Sequence, residues 1–153
     1  LANYPNTIIL RHRRENLKKC SLTGLENRED IEFYTYPTHH LPQKNGYILL
    51  SFDGKELSKD DMGKGIYLID GTWKLAEKML KTLPFKPEIR SLPKHFKTAY
   101  PRRQTACANP EEGLASIEAL FAAYCILGRE SLSLLNNYPF KEQFLNKNIN
   151  TNC

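Results

Sequence analysis

The chain has 153 residues, 41% hydrophobic and 25% charged, which is the make-up of one globular domain with a real core and not of a disordered or fibrous chain. Its 22 Lys and Arg against 17 Asp and Glu leave a formal charge of +5, which suits a polyanionic partner without requiring one. No apolar run approaches the roughly 20 residues that span a bilayer, so no membrane partner is expected.

The segment Leu1 to Leu10 lacks the basic-then-apolar pattern of a secretion signal. The four cysteines, Cys20, Cys107, Cys125 and Cys153, are far apart and contain no CxxC pair. That argues against structural zinc and for a reduced, cytoplasmic setting.

In chain order, Thr7 to Leu10 reads as a short buried strand, followed by a basic run, Arg11, His12, Arg13, Arg14, Lys18 and Lys19. Ile31 to Tyr36 is a second strand, ended by Pro37, and Thr38 to Gly46 is loop-like. Tyr47 to Phe52 is a third strand, with a turn expected at Asp53-Gly54. Ser58 to Met62 suits one helical turn, and Ile66 to Ile69 a fourth strand. Next comes a helix, Lys74 to Lys81, with Trp73, Ala76, Met79 and Leu80 near one face. Pro84 and Pro87 close it, and Ile89 to Leu92 is a further short strand.

Lys94 to Asn109 is basic and irregular. Pro110 is expected to start the last long helix, with Leu114, Ile117, Leu120, Phe121, Tyr124 and Leu127 on its apolar stripe and Gly128 as its cap. Weaker helical stretches follow at Ser131 to Leu135 and Phe140 to Leu145, with a frayed tail from about 146. Short strands alternating with helices predict an α/β fold in a single domain, 1–153.

The most informative spacing is Asp70-Gly71-Thr72-Trp73. A buried strand ends on a carboxylate, turns on glycine and restarts as a helix with Thr72 at the capping position, where its hydroxyl would meet free amides. In open α/β sheets, ligands bind outside the carboxyl ends of the strands. Spacing alone leaves two readings open, a ligand site at Asp70 or a plain helix cap. There is no GxGxxG loop for a dinucleotide.

These residues resemble a family. Asp70-Gly71-Thr72-Trp73, with Lys74-Leu75-Ala76-Glu77-Lys78-Met79 behind it, is similar to the Asp-x-Thr-Trp signature of DTW-domain proteins. Ile8 to Glu15 resembles the family's strand followed by His-x-x-Glu. Gly113 to Ala119 resembles its Leu-x-Thr/Ser-x-Glu-Ala block. The family is that of the tRNA-uridine aminocarboxypropyltransferases, in a superfamily shared with the ribosomal-RNA aminocarboxypropyltransferases. Lys19-Cys20-Ser21 and Leu25 resemble a segment of the ribosomal branch.

The resemblance implies a SPOUT-like fold: a parallel sheet, flanking helices and a C-terminal trefoil knot. It implies S-adenosylmethionine as cofactor and transfer of its 3-amino-3-carboxypropyl group to N3 of a uridine, in tRNA first and ribosomal RNA second. A methyl transferase, or an RNA-binding module without catalysis, is the alternative. The family's N-terminal cysteine cluster has no counterpart here, so no metal is implied, and no obligate protein partner is evident. Asp70 is the expected base, or else the holder of the cofactor's amino group. Trp73 is expected on the adenine or the sulfonium, with Thr72, Leu50, Leu92 and Ser116 completing the cofactor site. RNA contacts are expected from Arg11, His12, Arg13, Arg14, Lys18, Arg102 and Arg103, with Tyr100 stacking on a base.

Overall fold

Four runs with branched and aromatic residues and one short polar run form one all-parallel sheet: β1 (Thr7–His12), β2 (Ile31–Tyr36), β3 (Tyr47–Glu56), β4 (Gly65–Asp70) and, the polar one, β5 (Glu88–Ser91). Their spatial order is β2-β1-β4-β3-β5. The computed structural model describes residues 3–14, 17, 20–101 and 113–149, with the backbone alone at Trp73. All six residues of β1 are buried, as a parallel strand covered on both faces must be.

Helices supply that cover. On one face α1 (Trp73–Lys81) sets Met79 among Ile8, Leu10, Leu49 and Tyr67. On the other, α2 (Ser116–Ile126) sets Ile117, Leu120 and Tyr124 among Ile9, Ile48, Ile66 and Leu68. Phe144 of α3 (Lys141–Lys147) joins this second cluster. Strand alternation then decides where charge goes. Arg11 and Asp70 fall on the α2 face with Ile9 and Leu68; His12 falls on the α1 face with Leu10.

Several expectations need correction. β3 does not end at Phe52. Ser91 is the register partner of both Ser51 and Glu56, so the residues between them bulge out, and Phe52 is 75% exposed. Gly54, read as a turn signal, has φ 93° inside this bulge, and a Cβ there would lie 2.7 Å from Ile89 Cγ1. Thr72 does occupy the N-cap of α1, but its hydroxyl makes no capping bond; its carbonyl accepts from Ala76 at 2.8 Å. Leu80 is exposed, not on the buried face.

The long helix begins at Ser116, after a non-helical Gly113 to Ala115; Pro110 lies outside the described residues. The physical reason is Glu118, which reaches back to the Ala115 amide at 2.8 Å and holds Ala115 extended as the cap. Gly128, with φ 73°, ends α2 as expected, while Arg129 N–H donates to the Tyr124 carbonyl at 2.8 Å. The described part of the tail is tied down beyond 146: Asn148 is buried and bonded to both backbone groups of Lys97. Cys20 is a buried free thiol, whereas Cys125 is disulfide-bonded, which the wide cysteine spacing did not suggest. The stretch 102–112, whose path a trefoil knot would depend on, lies outside the described residues.

Candidate functional site

The chain leaves β1 towards β2 on one side and leaves β4 towards β5 on the other. β1 and β4 are neighbours whose connections leave in opposite directions, which makes their carboxyl ends the switch point at which open α/β sheets bind ligands. Arg11 and Asp70 are register partners at that point.

Asp70 is buried, 4% exposed, and each of its oxygens is occupied differently. Ser116, the first residue of α2, donates its hydroxyl to Oδ1 at 2.6 Å. The Cys20 thiol donates to Oδ2 at 3.2 Å. Burial, and next the charge of Asp70, push that thiol up to about 12, so it stays a protonated donor. Arg11 Nε stands 3.5 Å from Oδ2. Its guanidinium also pairs with Glu26 at 3.2 Å and lies 4.5 Å over the Phe33 ring. Arg11 Nε and Nη2 are buried and make no hydrogen bond. A carboxylate has about four acceptor positions and Ser116 and Cys20 take two, so Asp70 keeps capacity for two more donors.

The frame behind Asp70 is set by Glu118, which is fully buried. It accepts from Thr98 Oγ1 at 2.6 Å and, each at 2.8 Å, from the Ala99 amide, the Ala115 amide and the Tyr138 hydroxyl. Ser21 Oγ accepts from the Ile117 amide at 3.2 Å, tying the Cys20 segment to the start of α2. Glu118 is an anchor for three chain segments, not a reacting group.

A second feature lies at the same sheet edge on the opposite face. A cleft there is lined by His12, Arg13, Arg14, Tyr36, Leu75 and Lys78. His12 is buried, and its Nδ1 accepts from the Arg14 amide at 3.1 Å. Burial, then the charges of Arg14, Arg13 and Lys78, hold its pKa below the ordinary histidine value.

No protein-family model and no curated protein matches this chain. A solved structure does. The structure of the SAM-dependent rRNA:acp-transferase Tsr3 from Vulcanisaeta distributa matches with a TM-score of 0.74. The two chains are 24% identical, and the match covers 95% of this chain and 79% of that one. The likeness establishes a shared α/β architecture.

The expected site residues divide. Asp70 and Ser116 are in direct contact, and Leu50, within β3 ahead of its bulge, and Leu92, the residue after β5, pack half-buried against the α2-face cluster. Trp73 opens α1 two residues beyond the Gly71 turn. Arg11 is not on the surface with its basic neighbours but withdrawn into the Asp70 network. His12, Arg13 and Arg14 come together in the cleft. The Tyr100 ring packs edge-on to Phe140 at 5.8 Å. Lys18, Arg102 and Arg103 lie outside the described residues.

Sequence reasoning missed Cys20 as a partner of Asp70, although Lys19-Cys20-Ser21 stood out as a segment. It also missed Glu26, Phe33 and Lys78, for which only the fold supplies a signal. Chemically, the α2-face constellation can accept one proton or one cation at a buried, counter-charged carboxylate. The α1-face cleft offers only donors and positive charge.

Proposed function

We propose that this chain transfers the 3-amino-3-carboxypropyl group of S-adenosylmethionine to N3 of a uridine in RNA. The observation that carries the reading is the buried Asp70, held by Ser116, Cys20 and Arg11 at the β1/β4 switch point. The structural likeness to an enzyme described by that reaction class supports it.

The residues present fit the cofactor. A methionine-derived group ends in a carboxylate and an ammonium. Arg11 carries a buried donor without a partner, and Asp70 retains an acceptor position. Half-buried Leu50 and Leu92 offer apolar surface beside them. Bound there, S-adenosylmethionine supplies an electrophilic carbon and a leaving methylthioadenosine.

The protein's own work is then proton removal and alignment. Asp70 takes the N3 proton as the N3–carbon bond forms and the carbon–sulfur bond breaks. Ser116 and the protonated Cys20 fix the plane of the carboxylate, and Arg11 stands as its counter-charge. Such positioning accounts for several kcal/mol in comparable reactions. A proton acceptor contributes about 10²–10⁴-fold.

Sequence resemblance puts tRNA first. The placement of Cys20 and Ser21 in the site, and the substrate of the structural neighbour, favour ribosomal RNA. The SPOUT-like trefoil knot and a cytoplasmic setting belong to the same proposal.

The test is a product assay. The protein is incubated with S-adenosylmethionine and either ribosomal subunits or total tRNA, and the small by-product is identified by mass. Methylthioadenosine is expected, with one RNA pool. S-adenosylhomocysteine would mean methyl transfer instead, and neither product with cofactor bound would mean a binding module.

A further inference from the structure

The cleft on the α1 face takes no part in the chemistry at Asp70, which lies on the other face of the sheet. Its charge is nonetheless organised. Arg13 and Arg14 follow β1, Lys78 comes from the second turn of α1, and all three are exposed. Among the described residues none of the three has an ion-pair partner, and no carboxylate lines the cleft. Lys81, three residues further along the same helix, pairs with Glu77 at 2.9 Å. The helix therefore does use compensating acids, but not on this side.

His12 completes the set. Because its Nδ1 accepts the Arg14 amide, the proton of the neutral ring sits on Nε2, leaving a donor and no second acceptor. Three cations and a neutral donor, lined by Tyr36, have no anion to offset them among the described residues. That is the chemistry of an anion seat. S-adenosylmethionine carries no phosphate, and its one carboxylate belongs to the methionine-derived group assigned to Arg11 and Asp70 on the other face, so the cofactor does not supply the anion.

The location names the source. Arg11 and His12 are consecutive on β1, one turned to Asp70 and the other to the cleft. A nucleotide presented to Asp70 leaves its backbone crossing the carboxyl edge of β1. We propose that the cleft formed by His12, Arg13, Arg14 and Lys78 seats a backbone phosphate of the RNA substrate, adjoining the nucleotide presented to Asp70. This rests on the proposed function for the identity of the polymer, and it adds a register: phosphate on the α1 face, base on the α2 face.

The experiment compares the intact chain with Arg14→Gln/Lys78→Gln, two exposed positions, and with Lys86→Gln, an exposed lysine outside the cleft. Binding of a labelled oligouridylate of about 12 nucleotides is followed by fluorescence anisotropy across a salt series. A neutral-backbone methylphosphonate oligomer of the same sequence is the second probe. S-adenosylmethionine binding is measured by calorimetry on every variant.

The double variant is expected to bind the oligouridylate about tenfold more weakly and to lower the salt slope by about 0.7, the loss of one phosphate contact. The methylphosphonate oligomer should not distinguish the double variant from the parent, and cofactor affinity should not change. Equal binding by parent and double variant, equal weakening by Lys86→Gln, or no binding by the parent overturns the proposal. Failure of the parent to bind S-adenosylmethionine or to release methylthioadenosine sinks the proposed function instead, and the RNA comparison still reads the cleft.

Discussion

Arg11 and Arg129 are both buried, at opposite ends of the sheet, and the protein satisfies them in different ways. Arg129 lies at the amino end. Its Nη2 donates to the Met62 and Lys64 carbonyls, and its guanidinium lies 4.1 Å over the Tyr4 ring and 5.6 Å from that of Tyr124. Carbonyls and ring faces leave a charge fixed but chemically idle. Arg11, at the carboxyl end, faces two carboxylates and one ring. It is a counter-charge, and what it holds in place is an acid. Both guanidiniums keep nitrogen atoms without partners, so an orphaned donor by itself does not mark a site. The company it keeps does.

The largest effect is expected where that company includes the proposed proton acceptor. Asp70→Asn keeps the shape and can still accept from Ser116, but it gives up the charge and the proton acceptor. Turnover should fall about 10²–10⁴-fold. Methylthioadenosine release measures it, with cofactor binding as the control. A variant turning over at the parent rate would remove Asp70 from the chemistry and leave it a structural carboxylate.

Arg11→Met and Arg129→Met sharpen the comparison directly. Arg11→Met leaves Asp70 buried without its cation and is expected to cost about 3 kcal/mol of stability. Arg129→Met leaves two carbonyls without a donor and should cost about 2 kcal/mol. Urea unfolding reads both. The difference lies in activity: at matched folded fractions, Arg11→Met should turn over more slowly, while Arg129→Met should match the parent. Equal activities would erase the distinction between the two ends.

The carboxyl end was partly legible because its key feature is local. Asp70, Gly71 and the start of α1 are consecutive, and a strand, a turn and a helix can be read from four residues. The partners of Asp70 were not. Ser116 is 46 residues away and Cys20 is 50, and only the sheet order brings them together. Arg11 looked like one of a basic run because sequence gives charge but not face; alternation along β1 turns it away from His12. Gly54 misled for a related reason. Its positive φ serves a bulge as well as a turn, and the choice depends on Ile89, which lies on a strand formed later in the chain. The inner strands β1 and β4 were readable from apolar runs, since both are buried on both faces, whereas the edge strand β5 carries only Ile89 as an apolar residue.

Cys20 tests the finer structure of the same end. Its thiol donates to Asp70 and is pushed up to about 12, so in the native state it should resist iodoacetamide at pH 8 and react only in urea. Peptide mapping by mass spectrometry distinguishes it from the other cysteines. Cys20→Ala removes a hydrogen bond worth about 1 kcal/mol, which corresponds to a roughly fivefold loss of turnover. Cys20→Ser should restore it. If alanine and serine behave alike, the thiol fills space and does not orient Asp70.

The smallest expected effect is a pH dependence of stability. His12 titrates below its unfolded value of 6.5 through burial and the charges of Arg14, Arg13 and Lys78; His40 does so through burial, opposed by its bond to the Met79 carbonyl. The folded protein thus binds fewer protons than the unfolded chain around the unfolded value. Stability from these two groups is present above 6.5 and is lost as pH falls through 6.5 towards their folded values. Urea midpoints should therefore drop from about pH 7.5 to about pH 5.5, less steeply in His12→Gln. The phosphate proposed for the cleft would reverse the sign at one of the two. A phosphate in the cleft favours protonated His12, so oligouridylate affinity should rise over the pH range in which the free protein weakens. His40, bonded to the Met79 carbonyl, has no such partner and should give no binding response. An affinity that is flat with pH, or unchanged by His12→Gln, would separate His12 from the cleft's charge and leave Arg13, Arg14 and Lys78 to hold the phosphate alone.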